Sequence, residues 1–263
     1  MPLNIVVFGE CGAGKSSLIN LMRGHDVAAV SNGANGCTLH ATPYDCKSST
    51  GTSYRFWDTA GLNEGDGGRV PNVEAIVRLY QLIMNLNDGI SLLVFVMRAP
   101  RIKDASVQNW VLFREIICRS QVPAVLAITG LENEENMDSW WVKNQHSFRA
   151  HGIVPAAHAC VSGTRGKRNR DGTYKFDEEH QESRVRMLGM IERHHLRQPW
   201  RPRGVEWFRE VVSVSYESRG PCRSPRERRE VRRVAGQGID QLKSRCGMSD
   251  QEARELAERL KKG

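Results

Sequence analysis

Hydrophobic positions along the chain fall into short apolar runs that alternate with stretches of helical spacing. Residues 3–8 are apolar and β-branched, the pattern of a buried strand. Residues 17–21 then read as a helix that stops near Arg23-Gly24, because glycine ends helices. Residues 44–48 and 53–57 predict a strand pair around a turn at Ser49-Thr50-Gly51. Between 73 and 86, Val73, Ile76, Val77, Tyr80, Ile83 and Met84 recur at helical spacing. Residues 90–97 are continuously apolar, as a central parallel strand is. Residues 107–118 predict an amphipathic helix that buries Trp110, Val111, Phe113, Ile116 and Ile117. A buried strand follows at 122–129, a helix with Trp140, Trp141 and Phe148 at 139–150, a last strand at 156–161 and a helix at 177–193. A short element is expected at 205–212. Strands that alternate with helices imply an α/β fold with a mostly parallel sheet.

The pattern changes after Tyr216. Residues 219–226 have the style of a linker, and 227–234 are dense in arginine. Ser249 with Glu252 forms a capping box, which predicts a short terminal helix to about residue 262. From Glu217 onward there are 13 Lys/Arg and 8 Asp/Glu, a difference of +5 within a total of +8. The expected organisation is therefore a domain over 1–215 and a basic, partly helical, loosely ordered tail over 216–263. Such charge points to an acidic partner, nucleic acid or an anionic membrane surface. The seven cysteines are scattered and odd in number, with no C-x-x-C. They fit a reducing compartment and neither a zinc site nor a disulfide framework. With the first strand beginning at residue 3 and no run long enough to span a bilayer, a cytoplasmic protein is expected.

Chemistry concentrates just after the first strand. Gly9-Glu10-Cys11-Gly12-Ala13-Gly14-Lys15-Ser16 is G-x-x-x-x-G-K-S between a strand and a helix. Glycines let the backbone wrap a polyphosphate, with consecutive N–H groups and the helix N-terminus facing its charge. Lys15 would reach the outer phosphates, and the Ser16 hydroxyl would ligate Mg²⁺. Glu10, Cys11, Gly12, Ala13, Gly14, Lys15, Ser16 and Ser17 are thus the expected phosphate-side contacts. Cys11 is explained by its small size, with redox sensitivity as the alternative. Asp58-Thr59-Ala60-Gly61 closes a neighbouring strand. Its aspartate can hold Mg²⁺ through a water, and Gly61 can offer its N–H to a γ-phosphate.

These two motifs, Gly9 to Asn20 and Asp58 to Asn63, resemble the translation-factor-related P-loop GTPases, especially the septin-like and Era-like branches. Details at 98–101 and 130–141 resemble a group of fungal G-domain proteins. The resemblance covers residues 3–193 and implies a three-layer G domain that binds GTP or GDP with Mg²⁺. It implies that Thr38, or else Thr42, is the switch threonine at Mg²⁺ and the γ-phosphate. Lys15, Thr38 and Gly61 are then the catalytic set, and Ser16, Thr38 and Asp58 the metal set. The base-reading stretch is Thr129-Gly130-Leu131-Glu132 where the family has Asn/Thr-Lys-x-Asp. Glu132 can accept both guanine N1–H and the exocyclic amine. Gly130 lacks the lysine stem that covers the base. Ser162 and Gly163 resemble the final motif, whose backbone N–H groups meet guanine O6. Leu62 stands where a water-orienting glutamine would be, so slow hydrolysis is expected, with Asn63, Glu64, Arg69, Arg98 and Arg101 as possible substitutes. Effectors or self-association would act through the switch loops. Two alternatives stand beside a GTPase switch: a nucleotide-loaded assembly module, and an ATP-using P-loop enzyme. Against the latter, the strand at 90–97 ends in Arg98 and not in an acid.

Overall fold

A computed structural model describes residues 1–24, 41–48, 50–59, 73–201, 208–217 and 226–260. Its main sheet has six strands: β1 (Leu3–Gly9), β2 (Thr42–Lys47), β3 (Ser53–Asp58), β4 (Leu92–Arg98), β5 (Ala124–Thr129) and β6 (Ala157–Cys160). Their order is β2-β3-β1-β4-β5-β6. β2 alone runs antiparallel, paired to β3 through the short turn. β1 lies between β3 and β4, parallel to both, so the chain reverses its direction of sheet growth there. In an open α/β sheet that switch point opens a crevice at the carboxyl ends of the strands.

Alternation along β1 decides the layers. Ile5 and Val7 face one core with α1 (Lys15–Arg23) and α5 (Asp177–His194), through Leu18, Ile19, Met187 and Ile191. Val6 and Phe8 face the other core with α2 (Val73–Asn85), α3 (Asp104–Trp110) and α4 (Met137–Ala150). Period-two side-chain alternation is what lets one strand serve two helical layers. Phe8 stacks between Phe95 and Phe113, with ring centroids 5.1 and 4.2 Å away.

The helix expected at 107–118 begins earlier and changes pitch. α3 runs on into a π-helical segment, Val111–Ile117. Trp110, Val111, Leu112 and Phe113 are four consecutive buried residues, too wide an arc for one α-helical stripe, and the wider turn accommodates them. Trp140 and Trp141 both pack about Phe148, and Trp141 stacks on His158 at 4.1 Å.

The C-terminal region differs from the expected loose appendage. The short element near 205–212 is a ten-residue strand, β7 (Phe208–Glu217), and the arginine-dense stretch is its antiparallel partner, β8 (Arg226–Ala235). α6 (Gln237–Cys246) and α7 (Asp250–Leu260) then place Ile239, Leu242, Cys246 and Leu256 in the core that holds α2 and the π-helical segment. Local composition could not show this, because the apolar stripe of each helix is satisfied by residues over a hundred positions away. The capping box at α7 does form: Ser249 N–H donates to Glu252 Oε2 at 2.7 Å, and Glu252 N–H to Ser249 Oγ at 3.3 Å. Among the described residues no helix is long and apolar enough to cross a membrane.

Candidate nucleotide-binding site

The glycine loop leaves β1 at the switch point with little freedom to vary. Gly9 has φ 147°, and a Cβ there would lie 2.1 Å from the Val96 carbonyl oxygen on neighbouring β4. Gly14, at φ 96°, is the N-cap of α1 and supplies no side-chain cap. The helix dipole at this end of α1 favours an anion. Lys15 is buried, and its Nζ donates to the Gly9 and Glu10 carbonyls at 3.1 and 2.9 Å. The ammonium is held over the loop, where an outer phosphate would meet it.

Two oxygens beside Lys15 could hold a metal ion. Ser16 Oγ donates to Asp58 Oδ2 at 2.7 Å across forty-two residues of sequence. Burial pushes the Asp58 carboxyl above its ordinary value, while the Ser16 hydrogen bond and the Lys15 charge pull against that. A hydroxyl beside a buried carboxylate is a hard-oxygen pair that suits Mg²⁺, which usually takes few protein ligands and completes its shell with phosphates and water. No group of three or more His, Cys, Asp or Glu among the described residues is placed to hold a metal. Thr59 is fixed to β1 by its hydroxyl, which donates to the Val7 carbonyl at 2.9 Å. Thr38, Gly61, Leu62, Asn63, Glu64 and Arg69 lie outside the described residues. Thr42, the alternative switch threonine, is the first residue of β2 and pairs in register with Asp58.

On the base side the sheet brings separated motifs to the loop. Thr129 ends β5, and its hydroxyl donates to the Ala13 carbonyl at 2.7 Å. This buried clamp ties the stretch 129–132 to the phosphate loop. Glu132 follows on a turn, half-buried. Gly163 approaches α1 so closely that a Cβ on it would stand 3.4 Å from Ser17 Cβ. Ser162 precedes it, and its N–H donates to Ser183 Oγ at 2.9 Å, in α5. The Ser162–Ser183 hydrogen bond braces the segment that sets Gly163 against α1.

Some contacts had no sequence signal. Glu10 is bound by Lys103 at 3.1 Å and by the Ser106 hydroxyl, which anchors the loop to the start of α3. Arg98 lies along the bare backbone of Gly130, with its Cγ 3.0 Å from where a Cβ would be. Cys46, Cys118, Cys160 and Cys246 are free thiols.

A mostly parallel sheet that delivers a glycine loop at its switch point, with a serine–aspartate oxygen pair beside Lys15, has the fold of a P-loop G domain. Residues 4–129 match the family described as 50S ribosome-binding GTPase. The tRNA modification GTPase MnmE of Sinorhizobium medicae is 43% identical over 81 residues, which are 31% of this chain. The chain spans only 18% of that relative's length. Among solved structures, Toc33 from Arabidopsis thaliana in complex with GDP and Mg²⁺ superposes with a TM-score of 0.52 at 18% identity, over 75% of this chain and 88% of that one. An Aquifex aeolicus Era variant bound to GDP and AlF4⁻ gives 0.50 at 12% identity, over 100% of this chain and 88% of that one. At such identities these likenesses concern the fold.

Proposed function

We propose that this chain binds GTP and GDP with Mg²⁺, hydrolyses GTP slowly, and uses loss of the γ-phosphate to change conformation. The observation that carries the reading is the 2.7 Å Ser16–Asp58 contact beside Lys15, which pairs the loop with the strand end that must sense the γ-phosphate. Lys15 and the N–H groups of 12–17 hold the phosphates, and Ser16, Asp58 and Thr38 hold Mg²⁺. Mg²⁺ neutralises phosphate charge when bound. Glu132 reads the guanine edge, since its carboxylate accepts from two donors that adenine lacks. Leu62 orients no water, which is the reason for a slow rate. Matches to Toc33 with GDP and Mg²⁺ and to MnmE, named a GTPase, support the ligand choice. We place the protein in the cytoplasm, with its net charge of +8 favouring an acidic partner.

Lys15→Ala is the test. Loss of a charge-assisted contact to phosphate is worth about 1.5–3 kcal/mol, so GTP and GDP affinity should fall by about 10- to 150-fold in titration calorimetry. Unchanged affinity in a folded variant would overturn the site. Competition of labelled nucleotide by ATP better than by GTP would overturn the role of Glu132.

A further inference from the structure

The base side of this site has a hole in it, and a residue from another strand fills it. Gly130 has φ 79° and no side chain, in the stretch between the Thr129 clamp and Glu132. A base that reaches Glu132 from phosphates on the loop passes over this position. The space beside Gly130 belongs to Arg98: its Cγ, Nε and Cζ stand 3.0, 3.3 and 3.4 Å from the Cβ position. Arg98 is no accidental neighbour, because it pairs with Thr129 in the β4–β5 register. Its side chain also lines a hollow shared with loop residues 10–13, Arg101 and Lys103. Lys103 is engaged by Glu10 there.

We propose that Arg98 is a base-binding residue whose guanidinium covers the face of the guanine base, doing from β4 what a long side chain at position 130 would do from β5. A guanidinium is planar and weakly hydrated, and it stacks on aromatic faces by cation–π attraction. The aliphatic part of Arg98 rests on Gly130, where a Cβ would crowd its Cγ at 3.0 Å. Gly130 and Arg98 thus form one unit: the glycine makes the room and the arginine uses it. This inference rests on the nucleotide reading above.

The test is calorimetric titration of GDP and, separately, of inorganic tripolyphosphate, both with Mg²⁺. Arg98 is exposed at the strand end, so Arg98→Ala folds, which its melting curve checks. It should weaken GDP about tenfold and leave tripolyphosphate within about twofold, since only GDP carries a base. Gly130→Lys alone should also weaken GDP, because its Cβ meets Arg98. The double variant Arg98→Ala/Gly130→Lys should regain most of the loss, with the positive-φ strain falling on folding and not on binding. GDP binding unchanged in Arg98→Ala overturns the inference. Equal losses for GDP and tripolyphosphate also overturn it, since Arg98 would then act only on phosphate charge. So does a double variant no tighter than Arg98→Ala. Native protein that binds tripolyphosphate but not GDP would overturn the guanine reading itself, a result distinct from these three.

Discussion

Thr129→Val isolates the clamp between the base-reading stretch and the phosphate loop. The substitution keeps the β-branched shape and the methyl that lies 3.3 Å from the Cβ position of Gly14. It removes a single donor, the hydroxyl 2.7 Å from the Ala13 carbonyl. Thr129 is 3% exposed, so water cannot readily replace that donor. A net hydrogen bond contributes about 1 kcal/mol, and a buried carbonyl left unsatisfied can raise the cost to about 3 kcal/mol. At about 2–4 °C per kcal/mol for a protein of this size, Tm should fall by about 2–12 °C. GDP affinity should fall as well, because Glu132 and the phosphates lose their common frame. Thr129→Ser is the control: it keeps the donor, loses one methyl worth about 0.8 kcal/mol, and should retain GDP affinity. Scanning calorimetry and GDP titration on the three proteins decide it. A Val variant that melts within about 1 °C of the native protein and binds GDP equally would refute the clamp, as would a Ser variant that loses as much affinity as Val.

Leu256→Ala, in α7 and fully buried in the core shared with α2, should cost about 2–5 kcal/mol, and the urea midpoint followed by GDP binding should drop with it. A GDP-linked midpoint that does not move would mean that α7 is a separate unit. Asp58→Asn should abolish the Mg²⁺-dependent gain in nucleotide affinity yet raise the Tm of nucleotide-free protein at pH 7. Burial raises the folded pKa of Asp58 above its ordinary 3.8, so its contribution to stability is lost as pH rises through the folded value. The Tm advantage of the Asn variant should therefore shrink as pH falls toward 3.8, and an advantage that is absent at pH 7 or independent of pH would count against the buried carboxylate.

Much of the frame was legible because it rests on local rules. The strand at 90–97 and the helix at 139–150 follow from run length and period, and both appear within about two residues of their expected bounds. The loop from Gly9 to Ser16 reads directly, since each glycine answers a backbone demand: Gly9 meets the Val96 carbonyl, and Gly14 starts α1 without a capping side chain. Asp58 was also readable, as a carboxylate at a strand end beyond a phosphate loop. The arginine-rich stretch after Tyr216 was not, because composition registers charge and not pairing. Its strand β8 exists through ten cross-strand partners in β7.

By itself, the sequence determined the alternation of strands and helices, the phosphate loop and the carboxylates that could serve it, because these depend on residues close in the chain. Only the tertiary structure decided how the motifs combine. It set Ser16 against Asp58, hung the base-reading stretch on Ala13 through Thr129, and turned Ser162 inward to Ser183. It also laid Arg98 in the space that Gly130 leaves. The physical reason is register: parallel pairing of β4 with β5 fixes which side chain of one strand lies beside which backbone of the next. That relation is three-dimensional, between residues that no local pattern joins.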